Sequence, residues 1–193
     1  VDPERCRRDG LARARIREQR GWHGPVIVFF GALLYRPNRE AIRIIDEQIV
    51  PRVSPRLPDA SFLVVGPSPP LWQSNSRLTF IGAVERVEDF INASDVVICP
   101  LRSGGGTRLK ILETIACGKP VVSTSLGAEG LIGQETSSHL VVRDDWDAFS
   151  REVVKIARTN AFPDPSSAFL TRYSWAKIVE PLIQLIDALP SRA

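Results

Sequence analysis

Short apolar runs recur along this chain, most of them closed by a glycine or a proline. Val26-Ile27-Val28-Phe29-Phe30 leads into Gly31, Phe62-Leu63-Val64-Val65 into Gly66, Phe80-Ile81 into Gly82, and Val96-Val97-Ile98-Cys99 into Pro100. Runs without polar alternation are those of strands buried on both faces, as in parallel sheets. Pro120-Val121-Val122-Ser123 predicts a fifth strand, and His139-Leu140-Val141-Val142 a sixth. Between them, apolar residues at helical spacing predict helices at about residues 10–20, 38–50, 86–93, 145–159, 166–172 and 174–189, with a further short helix from Thr107. Alternating strands and helices give an α/β fold, a doubly wound parallel sheet of about six strands. Such sheets hold ligands outside the carboxyl ends of their strands. Gly31, Gly66, Gly82 and the 101–107 loop are therefore expected to line one rim.

The most informative stretch is residues 104–123. Gly104, Gly105 and Gly106 run into the short helix, and Gly118 and Pro120 then lead into the fifth strand. Glycines before a helix let backbone N–H groups approach an anion, and the helix start adds about half a positive charge. At about 100° per residue, Leu109, Ile111, Leu112, Ile115 and Ala116 share one side, and Thr107, Lys110, Glu113 and Thr114 the other. A plain surface helix with an exposed Lys–Glu pair, worth a few tenths of a kcal/mol, is the alternative. The glycines tip the balance, since each costs backbone entropy that an ordinary loop need not lose. A cation for phosphate and a carboxylate for sugar hydroxyls, on one face beside a glycine loop, describe a site for a nucleoside diphosphate. Leu109 and Ile111 break the Walker pattern, and Leu109 also stands at the third glycine of the dinucleotide fingerprint.

The formal charge of +3 comes from the start of the chain, where residues 1–25 hold seven arginines against four acids. The rest is balanced, which argues against a nucleic-acid partner. The basic helix is expected to be solvated, with membrane-surface or partner contact as the second reading. No apolar run approaches the roughly 20 residues a bilayer span requires, so a soluble, cytoplasmic protein is expected. Cys6, Cys99 and Cys117 are odd in number and lack metal-ligand spacing, which points to a reducing compartment and no metal. Cys99 and Cys117 read as core residues, Asp95 as a turn or cap, His139 as a strand-edge residue and His23 as a loop residue. Asp144, Asp145 and Asp147 suit a helix start, and Lys119-Pro120 the beginning of a strand. The closing helix carries Trp175, Ile178, Val179, Leu182, Ile183, Ile186 and Leu189 in a stripe that needs cover, with Pro181 expected to kink it. A chain without methionine that opens on Val1-Asp2-Pro3 looks like a piece of something longer.

Residues 104–129, read as G-G-G-T-R-L-K-I-L-E-x-x-A-x-G-K-P-V-V-S-T-x-x-G-A-E, resemble the C-terminal nucleotide-sugar half of group-1, retaining glycosyltransferases of the GT-B fold. Gly31 to Asn38, the strand ending at Gly66, Phe80 to Val84, the strand ending at Pro100 and the late Tyr173-Ser174-Trp175 are similar in order and spacing. The likeness implies a Rossmann-like domain over residues 26–173, a C-terminal helix over 174–193, and in residues 1–25 a linker and basic helix from an N-terminal domain. It implies an NDP-sugar donor substrate and no cofactor. Glu113 would meet the ribose hydroxyls; Lys110 and Arg108, with the N–H groups of Thr107 to Leu109, would hold the diphosphate. The backbone near Val84 would meet the base, Gly31 would let phosphates approach the first strand, and Gly104, Gly105 and Gly106 would shape the loop. A glycan or lipid-linked acceptor, and the groups acting on it, would belong to the N-terminal domain, with membrane association peripheral at most. Two departures stand out: Gly105 replaces a sugar-binding Glu of many relatives, and Ala32 and Pro37 replace an Arg and a Lys, leaving Arg36 or Arg39 to reach inward. A sugar-nucleotide epimerase, a phosphorylase or a non-catalytic scaffold of the same fold are the alternative readings.

Overall fold

The computed structural model describes residues 1–68, 77–133, 136–159 and 162–187. Six parallel strands form one sheet: β1 (Val26–Phe30), β2 (Ser61–Val65), β3 (Leu78–Gly82), β4 (Val96–Cys99), β5 (Val121–Ser123) and β6 (Leu140–Val142). Their order is β3-β2-β1-β4-β5-β6, with every neighbouring pair parallel. The direction of strand addition reverses between β1 and β4, which opens a crevice at the sheet's carboxyl end. All residues of β1, β4 and β5 are buried, as an uninterrupted apolar run requires.

Helices cover both faces. On one side lie α1 (Gly10–Arg20), α4 (Val87–Ala93) and α5 (Leu109–Ala116), with α4 packed on α1, α5 and β1. On the other, α6 (Trp146–Ala157) packs on β4, β5 and the long helical stretch that follows β1. That stretch comprises α2 (Arg36–Ile44), a π-helical turn (Ile45–Ile49) and α3 (Val50–Val53), and is longer than the predicted 38–50. Pro37 sits in its first turn, where no N–H is needed. The π turn has a local cause. Pro51 has no N–H to offer the carbonyl four residues back, and the ladder slips just before it, so that the Val50 N–H meets the Ile45 carbonyl.

α7 (Ser167–Tyr173) plants Phe169 in the core, and α8 (Trp175–Asp187) runs on through Pro181 with no buried residue. The predicted end of that helix, with Leu189, lies outside the described residues. No helix among them is long and apolar enough to cross a membrane.

The basic N-terminal segment is not a solvated appendage. Asp9 caps α1 by accepting from the Ala12 N–H, and Gly21, at φ 64°, ends it. Arg13 and Arg17 then reach Asp95 at the foot of β4, at 2.5 and 3.0 Å, while the Val26 N–H donates to the same carboxylate at 2.7 Å. The two guanidiniums also donate to the carbonyls of Ala93 and Ser94. Arg5 pairs with Glu88, Arg15 with Asp89, and Arg8 with Asp164. Val1 and Cys6 are buried, and the Val1 nitrogen donates to the Tyr173 carbonyl. The sequence shows the arginines but not their partners, because those partners lie on α4, β4 and the chain's far end. Asp95, expected as a turn residue, is the hub of this clamp.

His139 stands immediately before the edge strand β6, as expected, but its ring is buried, its Nε2 bonded to the Pro163 carbonyl and its Nδ1 to the Ser138 hydroxyl. Asp145 caps α6 as expected, and Asp144 accepts from Ser125.

Burial alone would push the Asp95 carboxyl up, but the bonds from Arg13, Val26 and Arg17 outweigh it and hold the group below the usual carboxylate range. Asp95→Asn should therefore cost about 2–4 kcal/mol at neutral pH, measured by urea denaturation. Asp95 supplies its stability above the unfolded value of about 3.9 and loses it as the pH falls through its lowered folded value. The gap between wild type and variant should shrink in that acid range.

Candidate functional site

A cleft of about 740 Å³ opens where β1, β2, β3 and β4 end. Its floor exists because two turns pass without side chains. A Cβ on Gly66 would stand 1.9 Å from the Gly31 carbonyl oxygen, and one on Gly31 only 2.9 Å from Asn38 Nδ2 and 3.2 Å from Lys110 Nζ. The Gly31 N–H bonds to the Val65 carbonyl and the Gly66 N–H to the Gly82 carbonyl, so the ladder continues to the rim.

Lys110 and Glu113 enter this cleft from one face of α5, as their spacing predicts. The Lys110 ammonium donates to Asn38 Oδ1 at 2.9 Å and lies 4.3 Å from the centre of the Phe29 ring. Asn38, itself buried, donates from Nδ2 to the Ala32 carbonyl at 2.9 Å. Loss of water pushes the Lys110 ammonium below its ordinary value. Glu113 is shifted upward, first by burial and then by the nearby Glu88 carboxylate. Each group is thus biased toward its neutral form by its protein surroundings, and an incoming partner of opposite charge or a hydroxyl donor relieves that cost.

Gly31, Val84, Gly105, Thr107, Arg108, Leu109, Lys110 and Glu113 all line the cleft. Two predicted residues do not. Gly104, at φ 101°, packs against Pro37 and Tyr35, while Gly106 faces an adjoining groove. Gly105 is different again, since a Cβ there would meet nothing within 4 Å.

The local geometry corrects several expectations. The helix begins at Leu109, not Thr107, and the Leu109 N–H is already engaged by the Thr107 carbonyl at 2.9 Å. Leu109 is partly exposed, at 41%. Thr114, placed on the polar side, is fully buried, its hydroxyl donating to the Lys110 carbonyl. The Arg108 guanidinium is sunk between the cleft and the groove, bonded to the Gly104 carbonyl at 3.2 Å and Glu129 at 3.4 Å. Its Nε, fully buried, has no hydrogen-bond partner. Arg36 and Arg39 do not reach the cleft; with Glu40 and Arg43 they line a separate surface depression.

Asn38 is the cleft residue that sequence reading missed, along with Ala83 and Val87 on the far wall. Its one available signal was a polar residue on the buried face of a helix, directly after Pro37. No cluster of His, Cys, Asp and Glu fit for a metal occurs among the described residues.

Residues 24–159 match the family model described as "Glycosyl transferases group 1". A curated phosphatidyl-myo-inositol mannosyltransferase of Propionibacterium freudenreichii is 30% identical over 133 residues, covering 64% of this chain and 33% of the relative. The structure is similar to that of Anabaena HepE solved with UDP and glucose, at TM-score 0.73 and 16% identity, covering 98% of this chain and 55% of that one. It is also similar to the C-terminal domain of a glycosyl transferase group 1 family protein, LpcC, from Francisella tularensis, at TM-score 0.61 and 18% identity, covering 90% and 97%. The chain thus spans about a third of the mannosyltransferase and about half of HepE.

Two glycine substitutions should separate the crowded floor from the open loop. Gly66→Ala must displace the Gly31 carbonyl and should cost about 2 kcal/mol, a fall in Tm of roughly 4–8 °C. Gly105→Ala has free space and no left-handed φ, so its Tm should stay level or rise slightly through the stiffer unfolded chain.

Proposed function

The chain belongs to the group-1 glycosyl transferases, and within that family we propose that it is the donor-binding unit of an enzyme that moves a sugar from an NDP-sugar to an acceptor. One observation carries the reading. A partly buried cation and a half-buried carboxylate stand one turn apart on α5, at the carboxyl rim of a parallel sheet. That pair suits a diphosphate and the ribose beside it.

In this reading Lys110 holds the diphosphate above Gly31, where the lack of a side chain leaves room for oxygen atoms. Arg108 adds charge from behind the loop, its unpartnered Nε consistent with a group built for an anion. Glu113 accepts from the ribose hydroxyls, and the base lies along the wall of Ala83, Val84 and Val87. Breaking the glycosidic bond leaves negative charge on the departing diphosphate, and a fixed, partly desolvated ammonium stabilises that charge as it develops. The open space at Gly105 is where the donor sugar lies. The acceptor and the groups acting on it belong to the remainder of the protein. Retention at the anomeric carbon follows from the sequence resemblance and rests on it. HepE was solved with UDP, which makes a uridine nucleotide the first ligand to try.

A melting panel with UDP, GDP, ADP, CDP and TDP tests this reading. A ligand at a hundred times its Kd should add about 2.7 kcal/mol to stability. Lys110→Ala should weaken the preferred diphosphate at least about tenfold, the cost of losing a charge-assisted bond. Glu113→Ala should weaken the ribonucleotide by about tenfold while leaving its 2′-deoxy analogue much less affected. Unchanged affinity in both variants would remove the site.

A further inference from the structure

We propose that Asn38 is the positioning residue of the candidate donor cleft, setting both the location and the charge state of Lys110; the inference rests on the donor-binding reading above. The side-chain amide of Asn38 has two ends with different jobs. Its Nδ2 donates to the Ala32 carbonyl in the turn after β1, and its Oδ1 accepts from the Lys110 ammonium, both at 2.9 Å. Neither bond survives a rotated amide, because a carbonyl cannot accept from an oxygen nor an ammonium donate to an NH₂ group. One residue therefore ties the turn after β1 to the cation on α5. Asn38 is 6% exposed, so water does not replace it readily.

The surroundings make that anchor consequential. Lys110 is partly buried at the cleft wall, and the loss of water there disfavours its ammonium. The Phe29 ring below it and Asn38 Oδ1 beside it favour the charged form. The charged or titratable groups that act on it are the Cys99 thiol at the end of β4 and, on or beside α5, Arg108 and Glu113. Arg108 disfavours the ammonium and Glu113 favours it. Among the described residues, the Lys110 ammonium is paired with the Asn38 amide oxygen and with no carboxylate. A neutral amide supports the ammonium without neutralising it, which leaves its positive charge for a phosphate. An aspartate in the same place would satisfy the ammonium and repel the phosphate.

Substitutions at Asn38 should therefore move a pH profile in opposite directions. A diphosphate needs the ammonium, so UDP affinity should fall as pH rises through the lowered Lys110 value. Asn38→Ala removes an acceptor that favours the ammonium, and the fall should come at lower pH. Asn38→Asp adds a charge that favours the ammonium, and the fall should come at higher pH. At neutral pH both variants should bind UDP about tenfold more weakly than wild type, with uridine affinity nearly unchanged.

The measurement is isothermal titration of UDP and uridine, from pH 6 upward, on the full-length protein, with GDP and ADP as further probes. Opposite shifts support the proposal. Profiles that coincide with wild type, or shift together, overturn it. Should Asn38→Asp not fold, Asn38→Ala and Asn38→Ser carry the test, the serine hydroxyl restoring part of the wild-type profile. Lys110→Ala separates the two layers of inference. If wild type binds UDP, Lys110→Ala loses it and the Asn38 variants behave as wild type, the cleft reading stands and the role of Asn38 falls. If wild type binds none of the three diphosphates, both fall.

Discussion

A strand buried on both faces can display no chemistry along its length. β1, with five buried residues in a row, is such a strand, and everything polar near it is pushed to its two ends. At the foot stands Asp95, satisfying the first amide of β1 and two arginines. At the tip the chain needs Gly31 and then Gly66, because the neighbouring turns leave no space for a Cβ. The cleft follows from that constraint. It lies where the sheet's apolar interior stops and where α5, entering from β4's side, can bring Lys110 over the bare backbone.

That arrangement explains how one ammonium is held where loss of water works against its charge. Phe29 provides the ring beneath it and Asn38 the acceptor beside it, while Gly31 keeps the approach clear. Glu113, one turn further along α5, meets a different neighbourhood that includes Glu88 and Arg5 on the N-terminal side. Two groups on one helix face thus experience opposing pressures from burial, and both become responsive to what enters the cleft.

Much of this was legible in the chain. The strands were, because each is a short apolar run, four of them closed by a glycine or a proline, and a doubly covered parallel sheet has a use for six of them. The shared face of Lys110 and Glu113 was legible because three residues on a helix is a fixed rotation. What escaped depends on contacts between distant segments. Thr114 looked polar-facing, but α5 is enclosed by α4 as well as the sheet, and its hydroxyl finds an acceptor within its own helix. The arginines of α1 looked like surplus surface charge until their carbonyl and carboxylate partners came into view. The position of Asn38 hinted at a buried polar group but not at its two hydrogen-bond partners, since Ala32 and Lys110 meet only after the sheet has assembled.

The Asp95 clamp has a mechanical meaning as well. It fastens the incoming chain to the floor of the two innermost strands, on the side of the sheet away from the cleft. A pull that reaches Arg13 and Arg17 is therefore passed to the two central strands rather than to a sheet edge.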